Sequence, residues 1–315
     1  MRPRTVKVFA PASISNLGPG FDVLGIAIDK PGDEVTARRQ KEPGLSFCVK
    51  TSQPDVPADA QKNVAAHVAS LILQECKPSF GLHMVLHKRM PIGSGLGSSA
   101  ASSVASAVAV NALLPKPMRK VDLLRYVLEG ERMASGSPHA DNGAPSLLGG
   151  ARLIRSYEPL DVIPVPVVNS IVWVVVHPHV IVRTEEARSI LPKAVTLQTA
   201  IRQWGNISGL IIGLAAGNAE LVGRCVEDAI AEPVRASLIP AFNEVKQAAL
   251  SAGALGCSIS GSGPSLFAVA ASVHAARSIG AAMRRMFERA AKVQSEVYVS
   301  RVNMEGARII WMKEN

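Results

Sequence analysis

Residues 91–103 read PIGSGLGSSAASS. Glycines stand at 93, 95 and 97, and serines at 98, 99, 102 and 103 follow within reach. The apolar run GLHMVLHK (81–88) precedes the stretch, and an Ala/Ser/Val-rich segment continues from it to Leu114. The pattern reads as strand, glycine-rich turn and helix start. A helix N-terminus carries free N–H groups and the positive end of the dipole. Glycines let backbone approach a ligand closely and adopt positive φ. Together these make an anion site, most naturally for phosphate. The serines can cap the helix and offer hydroxyls to phosphate or magnesium. Two familiar motifs fail, however. A Walker A loop needs a lysine before its Ser/Thr, and no lysine accompanies Ser98 and Ser99. A dinucleotide fingerprint needs G-x-G-x-x-G near the first strand, and the spacing here is G-x-G-x-G. The plainer alternative is a Gly/Ser turn before a buried small-residue helix, and the stretch alone does not decide.

Working outward, the first third reads as β-rich. VKVFA (6–10), FDVLGIAID (21–29), DEVTAR (33–38) and LSFCVK (45–50) are short apolar or alternating runs punctuated by Gly, Pro and Asn. Asn63 can cap a helix over 64–76, and a further helix fits 119–134. SGSPHADNGAPSLLGG (135–150) breaks it with glycines and prolines. Strands are expected near 151–157 and 171–177, then helices near 184–191, 195–217, 219–231 and 239–252. Two strands joined by GSG fit 254–260 and 264–270, a helix fits 273–291, and a last strand fits 296–303. This order argues α+β rather than a strictly alternating doubly wound sheet. The best boundary candidate is the Pro-containing region 156–170, which predicts domains at 1–160 and 161–315.

Composition narrows the function classes. The 315 residues suffice for one large or two ordinary domains. Four cysteines, at 48, 76, 225 and 257, are far apart and form no CxxC pair, which suits a reduced cytoplasmic protein. The N-terminus lacks the continuous apolar run of a signal peptide. Val162–Val182 carries no Asp, Glu, Lys or Arg and is long enough to cross a bilayer, but three prolines interrupt it. A buried strand with proline-marked ends explains it better, so no membrane partner is expected. The net charge of +9 suits an anionic small substrate. Its cations are scattered, with almost no aromatic interleaving, which argues against nucleic acid as a partner. The pairs His83/His87 and His177/His179 lack a recognisable third ligand, so no metal site is expected there.

Two further stretches give the glycines a context. PIGSGLGSSAAS resembles the central phosphate-binding motif of the GHMP kinase superfamily. APASISNLGPGFDVLG (10–25) resembles its N-terminal motif, and GCSISGSGPSLFA (256–268) its C-terminal glycine-rich motif. The three occur in order over nearly the whole chain. SNLGPGFDVLG (15–25), GERMASGSPHADNGAPSLLGG (130–150) and RTEEARSILP (183–192) are more similar to the homoserine kinase branch than to its relatives. The resemblance implies a two-domain α+β fold, with a ribosomal protein S5 domain 2-like N-terminal domain and a ferredoxin-like C-terminal domain. It also implies phosphoryl transfer from ATP, with Mg2+, to the side-chain hydroxyl of L-homoserine, a step of threonine biosynthesis. A mevalonate- or threonine-type hydroxy acid is the alternative acceptor.

The resemblance assigns roles residue by residue. Pro91, Ile92, Gly93, Ser94, Gly95, Leu96, Gly97, Ser98, Ser99, Ala100 and Ala101 would wrap the triphosphate, with Gly261 and Gly263 assisting. Asn63 would touch the adenosine side, a plain N-cap being its alternative. The Ser99 hydroxyl and Glu131 carboxylate would hold magnesium; periodicity alone does not choose between Glu131 and Glu129. A zwitterionic acceptor needs a cation for its carboxylate and an acceptor for its ammonium, and arginine forks suit carboxylates. Arg188 and Arg235 match the substrate-binding arginines, with Thr184 one turn before Arg188. Asn16 and Asp22 match the polar contacts to the amino acid, and His139 and Asn142 match further substrate-site positions. Asp141 and Asn142 compete for the acceptor hydroxyl. The preferred reading puts Asn142 against it, without a strong protein base, the γ-phosphate taking the proton. Val/Ile-rich edges permit a homodimer.

Overall fold

The computed structural model describes residues 3–314. The chain opens with two long antiparallel strands, β1 (Pro3–Asn16) and β2 (Gly20–Gln40), and a short β3 (Leu45–Lys50). Helix α1 (Val64–Cys76) leads into β4 (Gly81–His87), which pairs antiparallel with β2 and parallel with β3. After the glycine stretch come α2 (Ser98–Leu113), α3 (Leu124–Ser135) and α4 (Ala140–Leu148). The hairpin β5 (Ala151–Tyr157) and β6 (Leu160–Val165) then pairs through β5 with the first half of β2.

Helix α2 shows no apolar stripe because it is covered on nearly every side. Thirteen of its sixteen residues are buried. Its alanines and serines leave room for β1, β2, α1, α3 and α4 to approach it at once. The Ser106 hydroxyl, deep inside, donates to the Ala65 carbonyl of α1.

The second half begins with β7 (Val172–Pro178), then α5 (Thr184–Ser189), α6 (Leu197–Ala216), α7 (Ala219–Cys225), α8 (Glu232–Arg235) and α9 (Phe242–Ser251). Strands β8 (Gly256–Ile259) and β9 (Leu266–Ala270), helix α10 (Val273–Met286) and β10 (Ser295–Ser300) follow. The second sheet runs β10-β7-β9-β8, all antiparallel. All seven residues of β7 are buried. Val172, Val174 and Val176 join the core with α9 and α10, while Trp173 and Val175 join the core of the first sheet. Burial on both faces accounts for the uncharged run over β7; the earlier part of the 162–182 run, in β6 and the turn after it, is largely exposed or half-buried. No helix among the described residues is long and apolar enough to cross a membrane.

Several elements differ from expectation. The break over 135–150 contains α4, a helix with Pro145 inside it. Its composition conceals it, because Gly and Pro here serve contacts rather than turns. The Asp141 carbonyl, which a residue other than proline at 145 would bond, packs against β2, where a Cβ on Gly25 would lie 1.9 Å from it. The helix expected over 219–231 stops at Cys225. Asp228 then accepts from the amides of Ile230, Ala231 and Glu232 and opens α8 instead. An eleventh strand, β11 (Arg308–Glu314), returns to the first sheet and pairs antiparallel with β1. A division at 160/161 therefore cuts the β5–β6 hairpin and assigns β11 to the wrong sheet.

Candidate active site

The glycine stretch occupies the seam between the two sheets. Gly93, Gly95 and Gly97 all have positive φ, at 61°, 73° and 66°. A backbone alternating in this way turns its amides to one side and its carbonyls to the other. The carbonyls are all engaged. That of Gly93 accepts from the Val182 amide, that of Ser94 from the Ser265 amide and hydroxyl, that of Gly95 from the Ser260 hydroxyl, and that of Leu96 from the Ser13 amide. Among the described residues no acceptor faces the amides of Gly93 through Ser99. A concave set of free N–H groups at the start of α2 results, the geometry that binds phosphate.

Gly261 and Gly263 lie against this loop rather than in the larger cavity beside it. A Cβ on Gly95 would sit 2.3 Å from the Ser260 carbonyl oxygen and 2.7 Å from that of Gly263. Gly95→Ala must therefore push the loop away from residues 260–263 while also straining a left-handed backbone. Nucleotide affinity is expected to fall at least tenfold, read as KM for ATP; an unchanged KM would refute the cradle.

Two cavities flank the loop. One, about 320 Å3, is lined by Asn63, Lys88, Ile92, Gly93, Ser98 and Ser99 among others. Asn63 also caps α1, accepting from the Ala65 amide and donating to the Pro57 carbonyl. Pro91, Leu96, Ala100, Ala101 and Gly263 line neither flanking cavity; Leu96, Ala100 and Ala101 are core.

The glycine motif contains no lysine, yet Lys88 folds beneath the first turn of α2. Its ammonium bonds the Ser98 carbonyl, the Ser102 hydroxyl and the Asp33 carboxylate. An ammonium has three donors, so all are engaged within the protein. Lys88 braces the helix start, and the amides are left to meet the anion. The residue lies in β4's wake, outside the glycine motif, and nothing in its neighbourhood along the chain marks it.

The other cavity, about 80 Å3, gathers Asn16, Asp22, Glu131, His139, Asp141, Asn142, Thr184, Arg188, Arg235 and Gly261 against loop residues including Gly93, Ser94 and Gly97. Arg188 donates to both Asp22 carboxylate oxygens at 2.9 Å and to His139 Nε2 at 3.1 Å. His139 is therefore neutral, with its proton on Nδ1, which faces the Ser135 hydroxyl. Burial, helped by the Arg188 and Arg235 cations and opposed by Asp22, holds its pKa below the usual histidine range. Arg235 is buried and donates to the carbonyls of Ala187 and Gly261. Both guanidinium groups face the ring of Phe21, 5.4 and 5.0 Å from its centre. Phe21 sits inside the N-terminal motif but carries no polar group, so a search for reactive side chains passes over it.

Three buried side-chain oxygens around the loop lack partners among the described residues: Ser94 Oγ, Glu131 Oε1 and Asp141 Oδ1. Burial pushes the Glu131 carboxyl up to about 7, with the Ser99 hydroxyl and the Lys88 cation pulling it back. A hard cation takes oxygen ligands, and an orphaned carboxylate oxygen beside a hydroxyl fits one. Among the described residues no group of three or more His, Cys, Asp or Glu could hold a metal ion. A magnesium ion at Glu131 and Ser99 would thus complete its shell with phosphate oxygens and water. Asp141 is pushed up further, to about 8, by burial and then by the carboxylates of Asp22 and Glu131. Asn142 is braced by the Ser13 hydroxyl, which donates to its Oδ1 at 2.8 Å.

Known proteins resemble this chain in sequence and fold. Residues 63–150 match the GHMP kinases N terminal domain and residues 210–289 match GHMP kinases C terminal. The homoserine kinase of Chlorobium phaeobacteroides is 45% identical, over 98% of this chain and all of the relative. The chain belongs to the homoserine kinase family. A family member from Pyrococcus furiosus is 42% identical over 94% of this chain and 98% of its own. The crystal structure of homoserine kinase from Cytophaga hutchinsonii superposes with a TM-score of 0.93 at 49% identity, covering 98% of each chain. A mevalonate kinase from L. major shares the fold, at a TM-score of 0.76 and 18% identity.

Proposed function

We propose that this member of the homoserine kinase family transfers the γ-phosphoryl group of ATP to the side-chain hydroxyl of L-homoserine, giving O-phospho-L-homoserine in threonine biosynthesis. The observation that carries the acceptor is the pairing of Arg188 and Arg235 with the Asp22 carboxylate in one small cavity. Such a set is complementary to an amino-acid zwitterion, the arginines taking the carboxylate and Asp22 the ammonium. A mevalonate-type acid carries no ammonium, so Asp22 would have no group of the substrate to bind.

The amides of Gly93 through Ser99 orient the triphosphate, and the Asn63 cavity takes the nucleoside. Glu131 and Ser99 would hold Mg2+, which neutralises charge on the phosphates. Phosphoryl transfer depends chiefly on positioning and charge neutralisation, so the chain's main task is alignment. Thr184, His139, Asn16 and Asn142 shape the acceptor pocket. The acceptor proton passes to Asp141, whose buried carboxylate has a free oxygen and titrates near 8. This differs from the base-free preference for Asn142, which is braced at Oδ1 by Ser13 and here only orients the hydroxyl through its amide N–H groups.

The test is an ATP-coupled assay with homoserine, threonine, mevalonate and galactose. Homoserine is expected to give the highest kcat/KM, and Arg235→Ala to raise its KM more than tenfold. Turnover confined to mevalonate or a sugar would overturn the assignment.

A further inference from the structure

The turn where β1 passes into β2, with the strand ends on either side, is held in an uncommon conformation. Asn16, Leu17 and Asp22 all have positive φ, at 68°, 48° and 59°. None is glycine, and such residues persist only where the surroundings over-determine them. Asp22 is restrained at each of its polar groups. Its amide donates to Asn16 Oδ1 at 3.1 Å, and its carboxylate accepts from Arg188. Its carbonyl accepts from the hydroxyl of Tyr157 at 2.9 Å. Tyr157 comes from β5, 135 residues further along, and lies outside the glycine motifs.

We propose that Tyr157 is a positioning residue for acceptor recognition, its hydroxyl fixing the Asp22 peptide so that the carboxylate meets the acceptor's ammonium. This rests on the assignment of Asp22 to the acceptor. The peptide between Asp22 and Val23 can rotate if its carbonyl is released, and that rotation would re-aim the Asp22 side chain. Burial, with the neighbouring carboxylates of Asp141 and Asp22, pushes the Tyr157 pKa up. The hydroxyl therefore remains a donor throughout the working pH range. Tyr157 lines neither flanking cavity, so it reaches the acceptor site only through its bond to Asp22.

Tyr157→Phe keeps the ring and removes the hydroxyl alone. The expected result is a threefold to tenfold rise in KM for homoserine, with kcat and KM for ATP within twofold of the parent. The decisive measurement is a double-mutant cycle with Asp22→Asn. If Tyr157 acts through Asp22, Tyr157→Phe adds less than twofold on the Asp22→Asn background. Effects that multiply fully, or an equal rise in KM for ATP, would overturn the proposal. The acceptor is fixed first with the parent enzyme, and the cycle is run on whichever alcohol it phosphorylates. A wrong acceptor then shows in the parent, and a wrong role for Tyr157 only in the cycle.

Discussion

At pH 8 the Asp141→Asn variant is expected to unfold at a higher temperature than the parent chain and to transfer phosphoryl groups at least a hundredfold more slowly. The two effects have one origin. The Asp141 carboxyl has an ordinary value of 3.8 and titrates near 8 in the fold, chiefly because it is buried. Below pH 4 it is protonated folded or unfolded, and it contributes nothing to the pH dependence. Between 4 and 8 the unfolded chain releases the proton while the folded chain retains it, so stability falls as pH rises. At 1.4 kcal/mol per pH unit the loss reaches about 4 kcal/mol at pH 7 and levels off above 8. Asparagine fills the space without ionising, so the variant escapes that loss. It also lacks the oxygen that would take the acceptor proton, and general bases contribute roughly 10²–10⁴ in rate. Thermal unfolding of both proteins from pH 5 to 9 checks the first effect, with the gap widening as pH rises. For the parent, kcat/KM should climb through the same range if the ionised form is the base, as proposed. Asp22, Glu131, His139, Arg188 and Arg235 face the same cavity, so the midpoint belongs to the cluster. Equal unfolding temperatures at pH 8, or turnover within tenfold of the parent, would remove Asp141 from the role and restore Asn142 with the γ-phosphate as proton acceptor.

Lys88→Met should strongly destabilise the chain. Asp33 is fully buried, and Lys88 is its cationic partner. The remaining carboxylate contacts are the amides of Arg89 and Met90 and the Ser102 hydroxyl, which solvate the charge without balancing it. Stranding a buried carboxylate costs about 3–5 kcal/mol, which for a chain of this size lowers Tm by on the order of 10 °C. The loss concentrates where α2 begins, so KM for ATP should rise as well. Adding Asp33→Asn removes the stranded charge but keeps an acceptor for the two amides, and should recover more than half of the lost stability. A fall in Tm below about 2 °C for Lys88→Met, or no recovery in the double variant, would show that the pair is not the brace.

The glycine turn ahead of a helix start was legible because its signal is local. Its phosphate role needed the other two motifs beside it, and the residues proposed for the acceptor were picked out only by the resemblance. The α+β order was legible from apolar runs of contrasting length. What escaped was set by distant contacts. α4 depends on Gly25 making room on β2, more than a hundred residues earlier. Lys88 looks like the end of a strand until Asp33 and the Ser98 carbonyl converge on it. Tyr157 meets Asp22 only once β5 has paired with β2, and Phe21 meets Arg188 and Arg235 only where the second half of the chain packs on the first. β11 was missed because its residues, exposed on both faces, lack the alternation that marks a half-buried strand.

The return of β11 to the edge of β1 has a consequence for how the chain assembles. Residues 3–9 pair with residues 308–314, so the first and last described strands are partners. During synthesis that edge of β1 stays open until the whole second sheet has left the ribosome. Long-range pairing of this kind forms late and slowly, because loop closure precedes any gain from contact. A nascent chain stalled before residue 308 would expose the backbone of β1 as a template for a stranger's strand. Supplied as a separate peptide, the β11 segment should bind such a truncated chain and close that edge.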